Sequence, residues 1–143
     1  RRSFDLFAAL PEPPPVFPGM VQVVHALAQH NRLAIVTGNT SRIVNRFLIQ
    51  HDLQACFSLV LASDAPGKRA DKLEQIKSAL DAPHGRSYLV GDAVSDVRAA
   101  RETGLICIAV TWGHQSEAHL NRVEPDYLVH TPQELLKILN GMP

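Results

Sequence analysis

Two aspartates four residues apart close the stretch Tyr88-Leu-Val-Gly-Asp92-Ala-Val-Ser-Asp96. An apolar run ending in Gly-Asp reads as a buried strand that delivers Asp92 at its carboxyl end. Ser95 then opens a helix with Asp96 in its first turn, close enough to Asp92 to share one small site. Carboxylates held that close resist ionising together unless a cation lies beside them. Hard oxygen ligands on rigid elements suit a divalent ion, and Mg²⁺ commonly takes one or two carboxylates. Asp92 and Asp96 are therefore candidate metal ligands. Turn chemistry alone gives the same pattern, with Asp92 as a capping residue and Asp96 as a solvated first-turn acid.

A second stretch, Ile35-Val-Thr37-Gly38-Asn39-Thr40-Ser41, runs an apolar strand into a hydroxyl residue, a glycine and a helix start. The Thr37 hydroxyl and the backbone N–H groups near Gly38 and Asn39 can face an anion there, with the helix dipole helping. An ordinary strand-to-helix turn uses the same residue types. The third stretch is Gly67-Lys68-Arg-Ala-Asp71-Lys72, ahead of another helix. A lysine at that point can reach the strand ends and neutralise phosphate or carboxylate charge. Lys68, in the loop, is the first choice, and Lys72 is expected on the helix surface. A solvated basic loop is the plainer alternative. The seven histidines have no ligand spacing, His114 alone falls near the expected site, and nothing marks a strained nucleophile turn.

These residues need elements to hold them. Leu33–Val36, Leu59–Leu61, Tyr88–Val90, Ile106–Val110 and Tyr127–Val129 read as strands, the first four as the near-continuous apolar runs of parallel strands covered on both faces. Helical patterns fall at about 19–30, 41–51, 70–81, 95–103, 115–122 and 132–140, with stripes such as Leu73, Ile76 and Leu80. Thr40 or Ser41 can cap the second helix, and Thr131-Pro132 starts the last. The alternation predicts a doubly wound α/β sheet of about five mostly parallel strands. Ligands bind such sheets at the carboxyl ends of the strands, where Thr37, Ser63, Asp92 and Thr111 would converge.

Composition narrows the function classes. The 143 residues fit one domain, and 45% hydrophobic with 20% charged residues supplies an ordinary core. Fourteen basic and fourteen acidic side chains cancel, so no basic excess points to nucleic acid. No apolar run approaches the ~20 residues of a membrane span, and no secretion signal opens the chain. Cys56 and Cys107 read as reduced, buried, small hydrophobes of a cytoplasmic protein.

Taken in order, Leu33-Ala-Ile-Val-Thr37-Gly38-Asn39, Gly67-Lys68 and Leu89-Val-Gly-Asp92-Ala-Val-Ser-Asp96 resemble the second, third and fourth motifs of the haloacid dehalogenase superfamily. Phe17-Pro-Gly19, Ala99-Ala-Arg-Glu-Thr-Gly104, Val110-Thr-Trp-Gly113, Pro125-Asp-Tyr-Leu-Val129 and Pro132-Gln-Glu-Leu135 resemble its phosphoglycolate phosphatase branch, so the likeness covers roughly residues 16–139. The resemblance implies Mg²⁺-dependent hydrolysis of a small phosphorylated metabolite through a strand-end aspartate nucleophile and a second aspartate two residues on. It implies that Thr37, Gly38 and Asn39 hold phosphate, that Lys68 offsets charge, that Asp92 ligates Mg²⁺, and that Asp96 acts through water or orients Lys68.

The nucleophile motif itself, Asp-x-Asp, is missing: the eight aspartates stand at 5, 52, 64, 71, 81, 92, 96 and 126, no two of them two apart. Phe4-Asp5-Leu6-Phe7 echoes it weakly, with Phe7 where the second acid belongs. Phe4, Phe7 and Leu10 instead suggest the end of an amphipathic helix, and Pro11–Pro15 a stiff linker. On this reading residues 1–15 end a helical cap, and 16–143 form a core domain without its central first strand. That strand belongs between Leu33–Val36 and Tyr88–Val90, and unpaired buried backbone groups cost about 1–3 kcal/mol each. Something is then expected to fill the gap: a preceding segment, a neighbouring chain in a homo-oligomer, or direct pairing of the two strands. Without a nucleophile the chain alone is expected to be inactive. The alternatives are a non-catalytic phosphate- or Mg²⁺-binding remnant, an assembly module pairing through open sheet edges, and a nucleotide-binding domain using Thr37–Ser41, for which there is no glycine-rich fingerprint.

Overall fold

The computed structural model describes residues 5–10, 18–80, 86–112 and 117–140. Six parallel strands form one sheet in the order β3-β2-β1-β4-β5-β6. They are β1 (Asp5–Leu10), β2 (Arg32–Thr37), β3 (Leu59–Leu61), β4 (Ser87–Gly91), β5 (Ile106–Val110) and β6 (Tyr127–Val129). The helices are α1 (Met20–Ala28), α2 (Ser41–Gln50), α3 (Arg69–Leu80), α4 (Val94–Thr103), α5 (Glu117–Arg122) and α6 (Pro132–Asn140). Each lies within two or three residues of its expected span. The fold is the doubly wound α/β architecture that the alternation implied.

The difference lies at the amino end. The expected helix end over residues 1–10 is, from Asp5 to Leu10, a strand. It sits in the central slot, pairing with β2 from Asp5↔Arg32 to Leu10↔Thr37 and with β4 from Asp5↔Ser87 to Ala8↔Val90. The chain's own residues thus fill the gap foreseen between β2 and β4, and the sheet has six strands rather than five. Pairing on both sides satisfies the inner edges of β2 and β4, which a buried sheet cannot leave open. Residues 11–17, which include the expected Pro11–Pro15 linker, lie outside the described residues, as do His84 and His114.

Side chains alternate across the sheet and build a core on each face. Phe7, Ala34, Val36 and Leu89 meet Leu73 and Ile76 of α3 and Val97 and Ala100 of α4. Leu6, Leu33, Ile35 and Tyr88 meet α1, α2 and α6 through residues such as Leu27, Val44 and Leu135. Helix ends follow local chemistry. Gly104 turns left-handed after α4 (φ 75°), and Leu105 N–H returns to Ala100 O at 2.9 Å. Thr131 caps α6 as expected, its Oγ1 accepting Glu134 N–H at 3.1 Å. The cap of α2 comes from elsewhere: the Thr40 side chain makes no capping bond, and Asp64 accepts from Ser41 N–H at 3.2 Å and Ser41 Oγ at 2.6 Å. These bonds hold the Asp64 carboxyl below its ordinary range.

Candidate active site

The strand register gathers the candidate residues on one rim. Thr37 ends β2 opposite Leu10 of β1. Continuing the β1–β4 register two residues beyond Ala8↔Val90 sets Asp92 beside Leu10 on the other side. Thr37 and Asp92 therefore stand two strand spacings apart, about 10 Å. Both are buried, at 2% and 5% exposure.

Thr37 Oγ1 accepts the backbone N–H of Asn39 at 3.0 Å and its Nδ2 at 2.8 Å. Asn39 is itself buried, and its carbonyl takes Ser63 N–H at 2.8 Å. These three bonds tie the loop after β2 to itself and to the start of the loop after β3. The Asn39 N–H expected to face an anion is instead committed to Thr37, while Gly38 is exposed at the tip.

Asp96 folds back over the end of β4. Its Oδ2 accepts N–H groups from Asp92 and Ala93, each at 3.1 Å, which satisfies donors at the start of α4. Ala93, at the N-cap, has no side-chain acceptor, so this is half of a capping box. Gly91 makes the fold-back possible: a Cβ there would overlap the Asp96 carboxyl group. The other Asp96 oxygen, Oδ1, accepts from Nη1 of Arg69, the first residue of α3. Burial pushes the Asp96 carboxyl above its ordinary range; the Arg69 charge opposes this and the Asp92 charge adds to it.

This shift has a sign for stability. The folded state holds the Asp96 proton to higher pH than the unfolded chain does. The stabilisation linked to that proton is complete below the ordinary value of 3.8 and is lost as pH rises through the folded value. The urea midpoint of the wild type should therefore fall, relative to Asp96→Asn, as pH rises above 3.8. Parallel midpoints across that range would contradict the assignment.

The lysines differ from expectation. Lys68 is exposed; its backbone N–H donates to Asp71 Oδ2 at 3.3 Å and its carbonyl accepts Lys72 N–H at 2.9 Å. Lys72, expected on the surface, is buried, and its Nζ donates to Ala62 O at 2.8 Å just past the end of β3. The basic group that meets Asp96 is Arg69 rather than Lys68. The signal was in the helix phase. Arg69, Lys72, Leu73 and Ile76 recur at helical spacing, so the apolar stripe of α3, traced backward, passes through both basic residues. Asp5, the echo of a nucleophile, begins β1 at the opposite edge of the sheet, where Arg32 Nε donates to its Oδ1 at 3.1 Å. Five residue rises, about 16 Å, separate it from the rim.

The donor set suits a hard cation in part. Asp92 is a buried carboxylate at a strand end, in contact through its backbone with Asp96. No group of three or more metal-capable His, Cys, Asp or Glu side chains exists among the described residues. Mg²⁺ does not need one, since it keeps several waters and binds through one or two carboxylates. Asp92 fits that role directly, and Asp96 fits it once Oδ1 is released from Arg69.

A six-stranded parallel sheet with this order places the chain among the doubly wound α/β folds, whose ligands bind at the carboxyl rim where these acids and the hydroxyl lie. Residues 10–110 match the haloacid dehalogenase-like hydrolase family, and the chain belongs to it. The sequence likeness is to the phosphoglycolate phosphatase branch. The chain is 32% identical over 128 residues to a phosphoglycolate phosphatase from Synechococcus elongatus, covering 89% of this chain and 60% of that protein. It is 28% identical over 130 residues to a phosphoglycolate phosphatase from Aliivibrio fischeri, covering 87% and 57%. A haloacid dehalogenase-like hydrolase structure from Streptococcus pneumoniae superposes with a TM-score of 0.76 at 27% identity, covering 86% of this chain and 59% of that one. The chain thus spans less than two-thirds of the length of the curated relatives it matches. Among the described residues no helix is long and apolar enough to cross a membrane.

Proposed function

We propose that this chain is the core of a Mg²⁺-dependent phosphomonoester hydrolase of phosphoglycolate phosphatase type, acting on a small phosphorylated metabolite. The observation that carries the reading is the buried Asp92 carboxylate beside Asp96, two strands from the Thr37 hydroxyl on one rim. Asp92 would hold the ion directly. When bound, Mg²⁺ would offset phosphate charge and the charge developing in transfer. Thr37 and the exposed turn at Gly38 would receive phosphate oxygens. Lys68 sits at the mouth of α3, where a flexible ammonium can follow an incoming anion.

The strand between Thr37 and Asp92 is β1, and its last residue is Leu10. Residues 5–10 therefore bring no carboxylate to the position between those groups, and Asp5 lies at the far end. The reading for this chain by itself is binding without turnover by a phosphoaspartate route. The assembly alternative needs open inner strand edges, and β1 pairs with both of them.

The test is Mg²⁺ and inorganic phosphate binding by calorimetry, with phosphoglycolate hydrolysis measured on the same samples. Millimolar Mg²⁺ binding lost in Asp92→Asn, weaker phosphate binding in Thr37→Val, and unchanged binding in Asp5→Ala are the expected results. Binding that survives Asp92→Asn overturns the site. Hydrolysis abolished by Asp5→Ala overturns the assignment of Asp5 to the opposite edge.

A further inference from the structure

We propose that Arg69 is a resident counter-ion of the acidic rim, which a divalent cation must displace from Asp96 before that carboxylate can take part in binding. The inference rests on the reading of the rim as a cation and phosphate site, and adds a competitor built into the chain. Asp96 has one oxygen fully used by the N–H groups of Asp92 and Ala93. Its second oxygen, the only one left to face a cation, is the one Arg69 holds. The Asp96 side chain is 3% exposed, whereas Arg69 is 29% exposed and reaches in from the start of α3. The carboxylate is fixed by backbone and by the bare Cα of Gly91, so the guanidinium is the partner that can leave. While it stays, Arg69 places a positive charge beside the Asp92–Asp96 pair, and a divalent ion meets a cation already in place.

Release also gives Arg69 something to do. A guanidinium freed at the mouth of α3 presents a planar fork that suits phosphate oxygens. Cation and phosphate binding are then linked through one side chain: Mg²⁺ on the acids turns Arg69 toward the anion, and each ligand favours the other by the same factor.

The experiment measures Mg²⁺ affinity in the wild type, Arg69→Met, Asp92→Asn and the Arg69→Met/Asp96→Asn double variant, then inorganic phosphate affinity at saturating Mg²⁺. Arg69→Met should bind Mg²⁺ about tenfold or more tightly, as loss of a neighbouring positive charge implies. It should bind phosphate more weakly, and Asp96→Asn should erase the gain in Mg²⁺ affinity. Unchanged or weaker Mg²⁺ binding in Arg69→Met, with binding still abolished by Asp92→Asn, overturns the competition and leaves the site reading standing. Absence of Mg²⁺ binding in every protein, or binding indifferent to Asp92→Asn, overturns the site reading and the competition with it. The wild type supplies a second readout independent of how Arg69→Met folds. The Arg69 side-chain NMR signal should move on Mg²⁺ saturation, and a signal that stays fixed while the ion binds overturns the proposal.

Discussion

Phe7→Ala should cost about 3–5 kcal/mol, the range for deleting a fully buried aromatic ring. Phe7 is 0% exposed and lies in the central strand, flanked in register by Ala34 of β2 and Leu89 of β4. Its ring fills the space under α3 and α4 with Leu73, Ile76 and Val97. Small neighbours such as Ala34 and Ala100 cannot close over the cavity left behind, so little of the loss is recovered by collapse. Against a total stability of about 5–15 kcal/mol, the variant stands near the edge of folding. A urea titration measures the change directly. Phe7→Leu should lose much less, since most of the apolar volume remains.

The same prediction separates two pictures of the amino-terminal segment. A ring on the last turn of a frayed helix would cover one stripe of surface, and its removal would cost little. In the centre of the sheet it is held on every side. Hydrogen exchange gives an independent measure, because central strands open only with the whole domain. The amides of Leu6 to Ala9 should exchange as slowly as those of β2 and β4. Fast exchange at these amides within an otherwise protected sheet would place the segment outside the slot.

The sequence of this strand favours a helix for a physical reason. Asp5-Leu-Phe-Ala-Ala-Leu10 is rich in residues that favour helices, and Phe4, Phe7 and Leu10 imitate a helical stripe. A short apolar run carries no period that separates a buried strand from a buried helix. What decides the matter is non-local: two strands more than twenty residues downstream leave a slot with unmet backbone groups on both sides. The other five strands were legible because they are short apolar runs that alternate with helical patterns along the chain. The positions of Thr37 and Asp92 were legible because a strand end fixes where the chain emerges, and that of Asp96 because it falls in the first turn of the helix that follows. The basic residues were harder. Which of Lys68, Arg69 and Lys72 turns inward depends on where α3 begins and on its phase, which the loop sequence around Lys68 does not reveal. The cap of α2 was hidden too, because Asp64 arrives from the loop after β3 and no local pattern announces it.

Gly91→Ala should dismantle the acidic rim more thoroughly than removing either acid. The added methyl would occupy the space of the Asp96 carboxyl group, and both belong to rigid elements, the end of β4 and the first turn of α4. The cheapest relief is rotation of Asp96 away from the turn. That strips the Asp92 and Ala93 N–H groups of their acceptor and also breaks the tie to Arg69. Each buried donor left unsatisfied costs about 1–3 kcal/mol, so the pair implies a loss of about 2–6 kcal/mol, toward the lower end because the Ala93 N–H is only part-buried. For a domain of this size that is a drop in Tm of roughly 10 °C. Divalent binding should weaken together with stability, because Asp92 loses the turn that orients it. A double-mutant cycle with Asp96→Asn tests the cause. If the methyl acts by expelling Asp96, the two changes should be strongly sub-additive, since the second removes bonds that the first has already broken. Additive losses would mean that the strain is relieved in the backbone of β4, with the carboxylate still seated on its amides.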